Sequence, residues 1–146
     1  MTIRYGTPKD IYKILKYDRH ISSSELFSSL QSNRVYVAEE EEKIVGWLRY
    51  NLFWDNTPFM NLLYVLEEYR GKGYGKALVH HWEEQMKALQ YPYLMTSTAS
   101  DEYAQHFYNK LGYTTAGGFT LADDPYELIL TKKIKKIPII HKKVNI

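Results

Sequence analysis

The sequence contains no cysteine. That excludes disulfides, thiolate–metal sites and a cysteine nucleophile together. It also lacks a long apolar run. No stretch reaches the roughly 20 residues that span a bilayer, and the N-terminal segment has no signal-peptide pattern. A cytoplasmic location with no membrane partner is therefore expected. The five histidines are His20, His80, His81, His106 and His141. No pair has the spacing of a zinc-binding helix, and His80 and His81, being adjacent, point in different directions on a helix. The expectation is no metal. There is no internal repeat, low-complexity segment or linker. At 146 residues the chain reads as one domain, 1–146, able to bury a core without staples.

The formal net charge of +2 conceals an asymmetry. From Lys132 to the end there are six lysines and no acids, so 13 basic residues remain against 17 acidic ones in the body. A mildly acidic body suits a cationic amine partner. The basic tail, residues 133–146, is read as a solvated extension in preference to a nucleic-acid contact.

The chain is organised around Leu62 to Ala77, LLYVLEEYRGKGYGKA. The apolar run Phe59 to Val65 has the length of one buried strand. A turn leads into Arg70-Gly71-Lys72-Gly73-Tyr74-Gly75-Lys76, and an amphipathic helix follows. Three glycines in five residues let backbone approach a ligand closely. A helix start presents unpaired N–H groups and partial positive charge, to which Arg70, Lys72 and Lys76 add. This is the pattern of an anion site for phosphate or pyrophosphate.

Spacing separates the possible ligands. Ending a P-loop on Gly75-Lys76 puts Arg70 where the first glycine belongs and Ala77 where a hydroxyl residue must bind magnesium. A dinucleotide fingerprint beginning at Gly71 requires glycine where Lys76 stands. The pattern that fits is Arg/Gln-x-x-Gly-x-Gly/Ala, as Arg70, Gly73 and Gly75. In this placement, after a strand and before a helix, it resembles the acetyl-CoA pyrophosphate loop of the GNAT superfamily of N-acetyltransferases. A second stretch, Phe107-Tyr108-Asn109-Lys110-Leu111-Gly112-Tyr113, resembles that superfamily's aromatic-Tyr helix ending in Leu-Gly-aromatic. The resemblance covers residues 2–132.

The element order read from the sequence agrees with that family. Residues 2–6 read as a strand. Thr7 as N-cap and Pro8 at the first helical position start a helix whose buried stripe is Ile11, Ile14 and Leu15. Ser22 with Glu25 has capping-box spacing, followed by Leu26, Phe27 and Leu30. Strands are expected at 35–39, 43–54, 59–65, 93–97, 113–119 and 126–131. Glu39 to Glu42 forms a hairpin tip and Asp55-Asn56-Thr57-Pro58 a turn. Leu78, Val79, Trp82, Met86 and Leu89 share a face of the helix after the loop. Asp101 opens a last helix carrying Ala104, Phe107, Tyr108 and Leu111, with Gly112 ending it. The resemblance implies an α/β (α+β) fold: a mixed, mostly antiparallel sheet of about seven strands flanked by about four helices.

It also implies a chemistry. Acetyl-CoA is the cosubstrate and direct transfer to a primary amine the reaction. Main-chain groups of Leu63 and Val65 would meet the pantetheine arm, with the Val65 N–H on the thioester carbonyl. Amides of Arg70, Gly71, Lys72, Gly73, Tyr74, Gly75 and Lys76 would hold the pyrophosphate, while Arg70's side chain either structures the loop or touches phosphate. Tyr108 matches the tyrosine that protonates the leaving thiolate; packing as a core aromatic is its other reading. Asp101 stands where relatives often place Asn, which keeps an acceptor near the cofactor and loses an amide donor. No carboxylate occupies the central strand, where Met60 and Asn61 stand. Asp55 and Glu25 are the candidate bases or amine binders, beside a water chain. Trp47, Tyr50, Phe53 and Trp54 either wall an acceptor pocket or pack the sheet. The acceptor is expected to be a small-molecule amine. A protein or peptide amine, or an inactive acyl-CoA sensor, are the alternatives. A homodimer is expected by family analogy.

Overall fold

A computed structural model of the protein describes residues 1–135. The expected basic extension lies outside the described residues from position 136 onward. Among the described residues are seven strands: β1 (Thr2–Tyr5), β2 (Val35–Glu40), β3 (Lys43–Phe53), β4 (Thr57–Val65), β5 (Tyr93–Ala99), β6 (Thr114–Phe119) and β7 (Glu127–Lys133). Four α-helices accompany them: α1 (Ile11–Leu15), α2 (Ser23–Gln31), α3 (Tyr74–Ala88) and α4 (Ala104–Lys110). The strands form one sheet in the order β1-β2-β3-β4-β5-β7-β6. Every neighbouring pair is antiparallel except β4 and β5, which run parallel. The mixed, mostly antiparallel expectation is met.

Local chemistry explains most boundaries. Thr7 is the N-cap and Pro8 opens the first helical turn, with the Asp10 carboxylate accepting from the Thr7 N–H at 2.8 Å. Ser22 Oγ accepts from the Glu25 N–H at 3.2 Å and starts α2. Four expectations shift. The long strand ends at Phe53, because Trp54 and Asp55 take left-handed φ values of 55° and 65° that reverse the chain. Thr57 and Pro58 belong to β4; Pro58 pairs with Leu52 of β3, and pairing with β5 begins only at Phe59. The last helix starts at Ala104, not Asp101. Phe27 and Leu89, expected on buried faces, are exposed.

Two apolar clusters lie on opposite faces of the sheet. Tyr36, Leu48, Tyr50 and Met60 pack with Leu78, Val79, Trp82 and Met86 of α3 and with Tyr108 of α4. Val35, Val37 and Trp47 pack with Ile14 of α1 and with Leu26 and Leu30 of α2. Trp47 stacks on Tyr64, 4.9 Å between centroids, while Tyr50 meets Trp82 on the other face. Of the two readings for Trp47, Tyr50, Phe53 and Trp54, the sheet-packing one therefore holds for Trp47 and Tyr50, and the four do not form one wall. Alternation sends the first two to opposite faces, and the last two lie at an exposed strand end.

One irregularity makes the site. Arg49 is level with Leu62 and Tyr50 with Met60, so Asn61 is an extra residue in β4, a β-bulge. On its other side β4 pairs with β5 at only two positions, Phe59 with Met95 and Met60 with Thr96. Beyond them the strands part, while β5 keeps full pairing with β7. A wedge opens between two parallel strands in mid-sheet.

Candidate active site

The wedge exposes backbone on β4. The Leu66 N–H reaches back to the Val45 carbonyl of β3 at 2.8 Å. Along a strand, alternate residues point their polar groups to the same edge. Leu63 and Val65 therefore direct theirs away from β3, into the wedge. The Val65 carbonyl is taken there by Arg70 Nε at 2.8 Å. The bulge restores the phase behind it, since the Met60 carbonyl also faces β5 and accepts from Thr96 Oγ1 at 3.0 Å.

The glycine loop closes one end. Gly71 and Gly73 have φ of 72° and 91°, and a Cβ built at either would meet nothing within 4 Å. The backbone is thus bare at both positions, which line the cleft, and glycine alone adopts this conformation without strain. Gly73 is the N-cap of α3 and offers no side chain, leaving the first-turn N–H groups directed at the loop. Arg70 structures the loop: besides its bond to Val65, its guanidinium lies 5.3 Å above the Tyr64 ring. Tyr74 is anchored by its hydroxyl to Glu40 of β2 at 2.5 Å. Lys72 lies over the Tyr69 ring, 5.7 Å from its centroid, while Lys76 lines the cleft.

The cleft has two halves. One, of about 370 Å³, runs from the glycine loop along Leu63 and Val65 to Phe107 and Tyr108 of α4. The other, of about 420 Å³, is lined by Asn61, the Ser97–Ala99 end of β5, Glu102, Glu127 and His20. Leu63, Ala104 and Tyr108 line both. Tyr108 is 7 % exposed. Burial pushes its phenol pKa up to about 12; a hydrogen bond with Thr96 opposes the shift and the Glu102 charge adds to it. The phenol therefore keeps its proton at physiological pH.

The structure brings together Leu63, Val65, Arg70, Gly71, Gly73, Tyr74, Gly75, Lys76 and Tyr108 around one cleft. Asp55 sits in the turn after β3, Glu25 in the first turn of α2, and Asp101 in the turn before α4; all three are exposed and line neither half. Sequence reasoning missed Glu102, Glu127 and His20. Glu102 directly follows Asp101, and only the true start of α4 selects it. Glu127 begins a strand, and only its pairing with Ala99 brings it to the wedge.

A parallel pair that splays in an otherwise antiparallel sheet, with a glycine loop at the start of the next helix, is the architecture of an acyl-CoA-dependent N-acetyltransferase. A sequence model described as the acetyltransferase (GNAT) family matches residues 7–113, and the chain belongs to that family. Acetyl-CoA is accordingly its cosubstrate. No curated protein matches the sequence. Among solved structures the chain is similar to Ard1 from Thermoplasma volcanium, with TM-score 0.83 and 17 % identity over 92 % of this chain and 98 % of that one. It is similar to yncA from Salmonella typhimurium, solved with its cofactor acetyl-CoA, with TM-score 0.80 and 15 % identity over 97 % and 98 %. It is similar too to the PaiA N-acetyltransferase from Thermoplasma acidophilum in complex with coenzyme A, with TM-score 0.75 and 20 % identity over 90 % and 98 %. At these identities the likeness is one of fold.

Proposed function

We propose that the protein transfers the acetyl group of acetyl-CoA directly to the primary amine of a small-molecule acceptor within the β4–β5 wedge. The observation that carries this reading is that Leu63 and Tyr108 line both halves of the cleft. A donor lying along the loop half and an acceptor entering the other half meet there. The loop and first-turn amides hold the pyrophosphate. Leu63 stands at the junction, so its N–H is the one placed to polarise the thioester carbonyl and stabilise the oxyanion. Val65, one step nearer the loop, meets the pantetheine arm. This moves the carbonyl contact from Val65, where the sequence resemblance put it, to Leu63.

Tyr108 supplies the proton that the leaving thiolate needs. With no cysteine and no Ser-His arrangement read in the sequence, the reading is of direct transfer within a ternary complex. The acceptor half, about 420 Å³, falls in the size range of small-molecule sites, which favours a small amine over a macromolecular one.

Calorimetric titration with acetyl-CoA, beside CoA and ATP, tests the reading. Binding of acetyl-CoA or CoA near one per chain, with ATP excluded, is expected, followed by thiol release when amines are added. Folded protein that binds no form of CoA would overturn it.

A further inference from the structure

The two carboxylates of the acceptor half stand on opposite faces of the sheet. Leu94 belongs to the α3–α4 cluster, so alternation puts Thr96 and Thr98 on that face and Ser97 and Ala99 on the other. Glu102 accepts from Thr98 Oγ1 at 3.1 Å, and its charge acts on the Tyr108 phenol. It stands on the donor's side. Glu127 pairs with Ala99 and accepts from Ser97 Oγ at 2.8 Å through Oε2. It stands on the α1–α2 side, where an acceptor must enter, because the glycine loop and α4 occupy the other.

His20 is the other titratable group at that mouth. Its segment is tethered from beneath: the His20 N–H donates to Asp18 Oδ1 at 3.3 Å. Asp18 is in turn held by a buried two-bond pair with Arg49, at 2.7 and 3.2 Å. Among the described residues that line this half there is no lysine or arginine. The half therefore carries two carboxylates and offers no guanidinium or ammonium to an anionic acceptor.

We propose that Glu127, oriented by Ser97, is the acceptor-binding carboxylate: it holds the ammonium of the incoming amine and takes its first proton. The acceptor class follows from the charge. It is a cationic primary amine with no carboxylate beside the amino group. This rests on the acetyl-transfer reading above. The balance is complete. Glu127 removes one proton from the ammonium and later yields it to solvent. The amine lone pair attacks the thioester carbonyl, the C–N bond forms and the C–S bond breaks. Tyr108 protonates the departing sulfur, and the nitrogen's remaining surplus proton restores the phenol.

The test compares 2-phenylethylamine and butylamine with phenylalanine and norvaline, the α-amino acids that add only the carboxylate. Wild-type protein should favour the amines by about thirtyfold or more in kcat/KM, since a like charge beside Glu102 and Glu127 is repelled. Glu127→Gln should lower kcat/KM for the amines by about a hundredfold. Its acetyl-CoA affinity should stay at the wild-type value, which also shows that the variant folds. Glu127→Asp should recover part of the loss. The proposal is overturned if Glu127→Gln retains activity within about threefold, if the amino acids serve as well as the amines, or if protein that binds acetyl-CoA acetylates neither amine. Failure to bind acetyl-CoA at all would be a different result, removing the acetyl-transfer reading itself.

Discussion

Gly75 offers a perturbation that the fold should ignore and the cofactor should feel. It is the second residue of α3, and its φ is not left-handed. A Cβ placed there would lie 3.7 Å from Leu63 Cδ2, 3.7 Å from Phe107 Cζ and 3.8 Å from Val65 Cγ2. These are ordinary van der Waals contacts, so a Cβ by itself introduces no clash, in keeping with the alanine that the loop pattern admits here. Gly75→Val adds two further methyl groups. Valine and glycine differ by only about a few tenths of a kcal/mol in helix propensity. The Cβ touches β4 and α4, so the added methyls intrude on the passage between these two walls of the cleft. A ligand threading between them meets extra bulk in a packed passage, which costs about 1–3 kcal/mol. At 1.4 kcal/mol per decade that is roughly a 5- to 150-fold weaker Kd for acetyl-CoA. Calorimetric titration measures the affinity and urea unfolding the stability. Unchanged stability with an affinity within about twofold of wild type would refute the path assigned to the donor. A large loss of stability would refute the claim that the site at Gly75 is open.

Tyr108→Phe should leave acetyl-CoA affinity intact and lower kcat by about 10²-fold, the usual contribution of a positioned acid; unchanged turnover in a thiol-release assay returns Tyr108 to packing alone. Asp18→Ala strands Arg49, itself 7 % exposed, and should cost about 3–5 kcal/mol in urea unfolding. Asp18→Ala with Arg49→Met should recover much of it, and a single-variant cost below about 1 kcal/mol would dismiss the pair as a structural element. Asp10 gives a pH signature. Burial alone would raise its pKa, but hydrogen bonds from Arg4 and the Thr7 N–H outweigh that and hold it below the ordinary 3.8. A depressed carboxylate stabilises the fold above its unfolded value, and that contribution disappears as pH falls through the folded one. Asp10→Asn should therefore show a shallower loss of stability below about pH 4; identical acid profiles would remove Asp10 from the account.

The legible parts were those governed by local chemistry. Three glycines after an apolar run announce a ligand-binding turn, because bare backbone and a helix start suit phosphate wherever they occur. Thr7-Pro8 and Ser22 mark helix starts through their own side chains and ring. Tyr108 was legible through the Leu-Gly-aromatic ending of its helix. The acceptor side was not. Asp55 stood at the turn before the central strand and Glu25 in the second helix, near the expected substrate side, and both lie exposed in a turn and a first helical turn. Glu127 is far from that strand in sequence and reaches it through β7 and β5. Likewise Trp47 and Tyr50 look like neighbours in sequence but are separated by the whole sheet, since one residue of offset changes the face. The bulge at Asn61 depends on the register with β3, which no property of Asn61 itself reveals.

Sequence alone thus determined the fold class and pointed to the glycine loop and to Tyr108, because these are written in contiguous residues whose backbone preferences act locally. Only the tertiary structure decided which carboxylates line the cleft and where its two halves meet. Those depend on strand pairing between distant segments, and pairing is settled by the packing of the complete sheet.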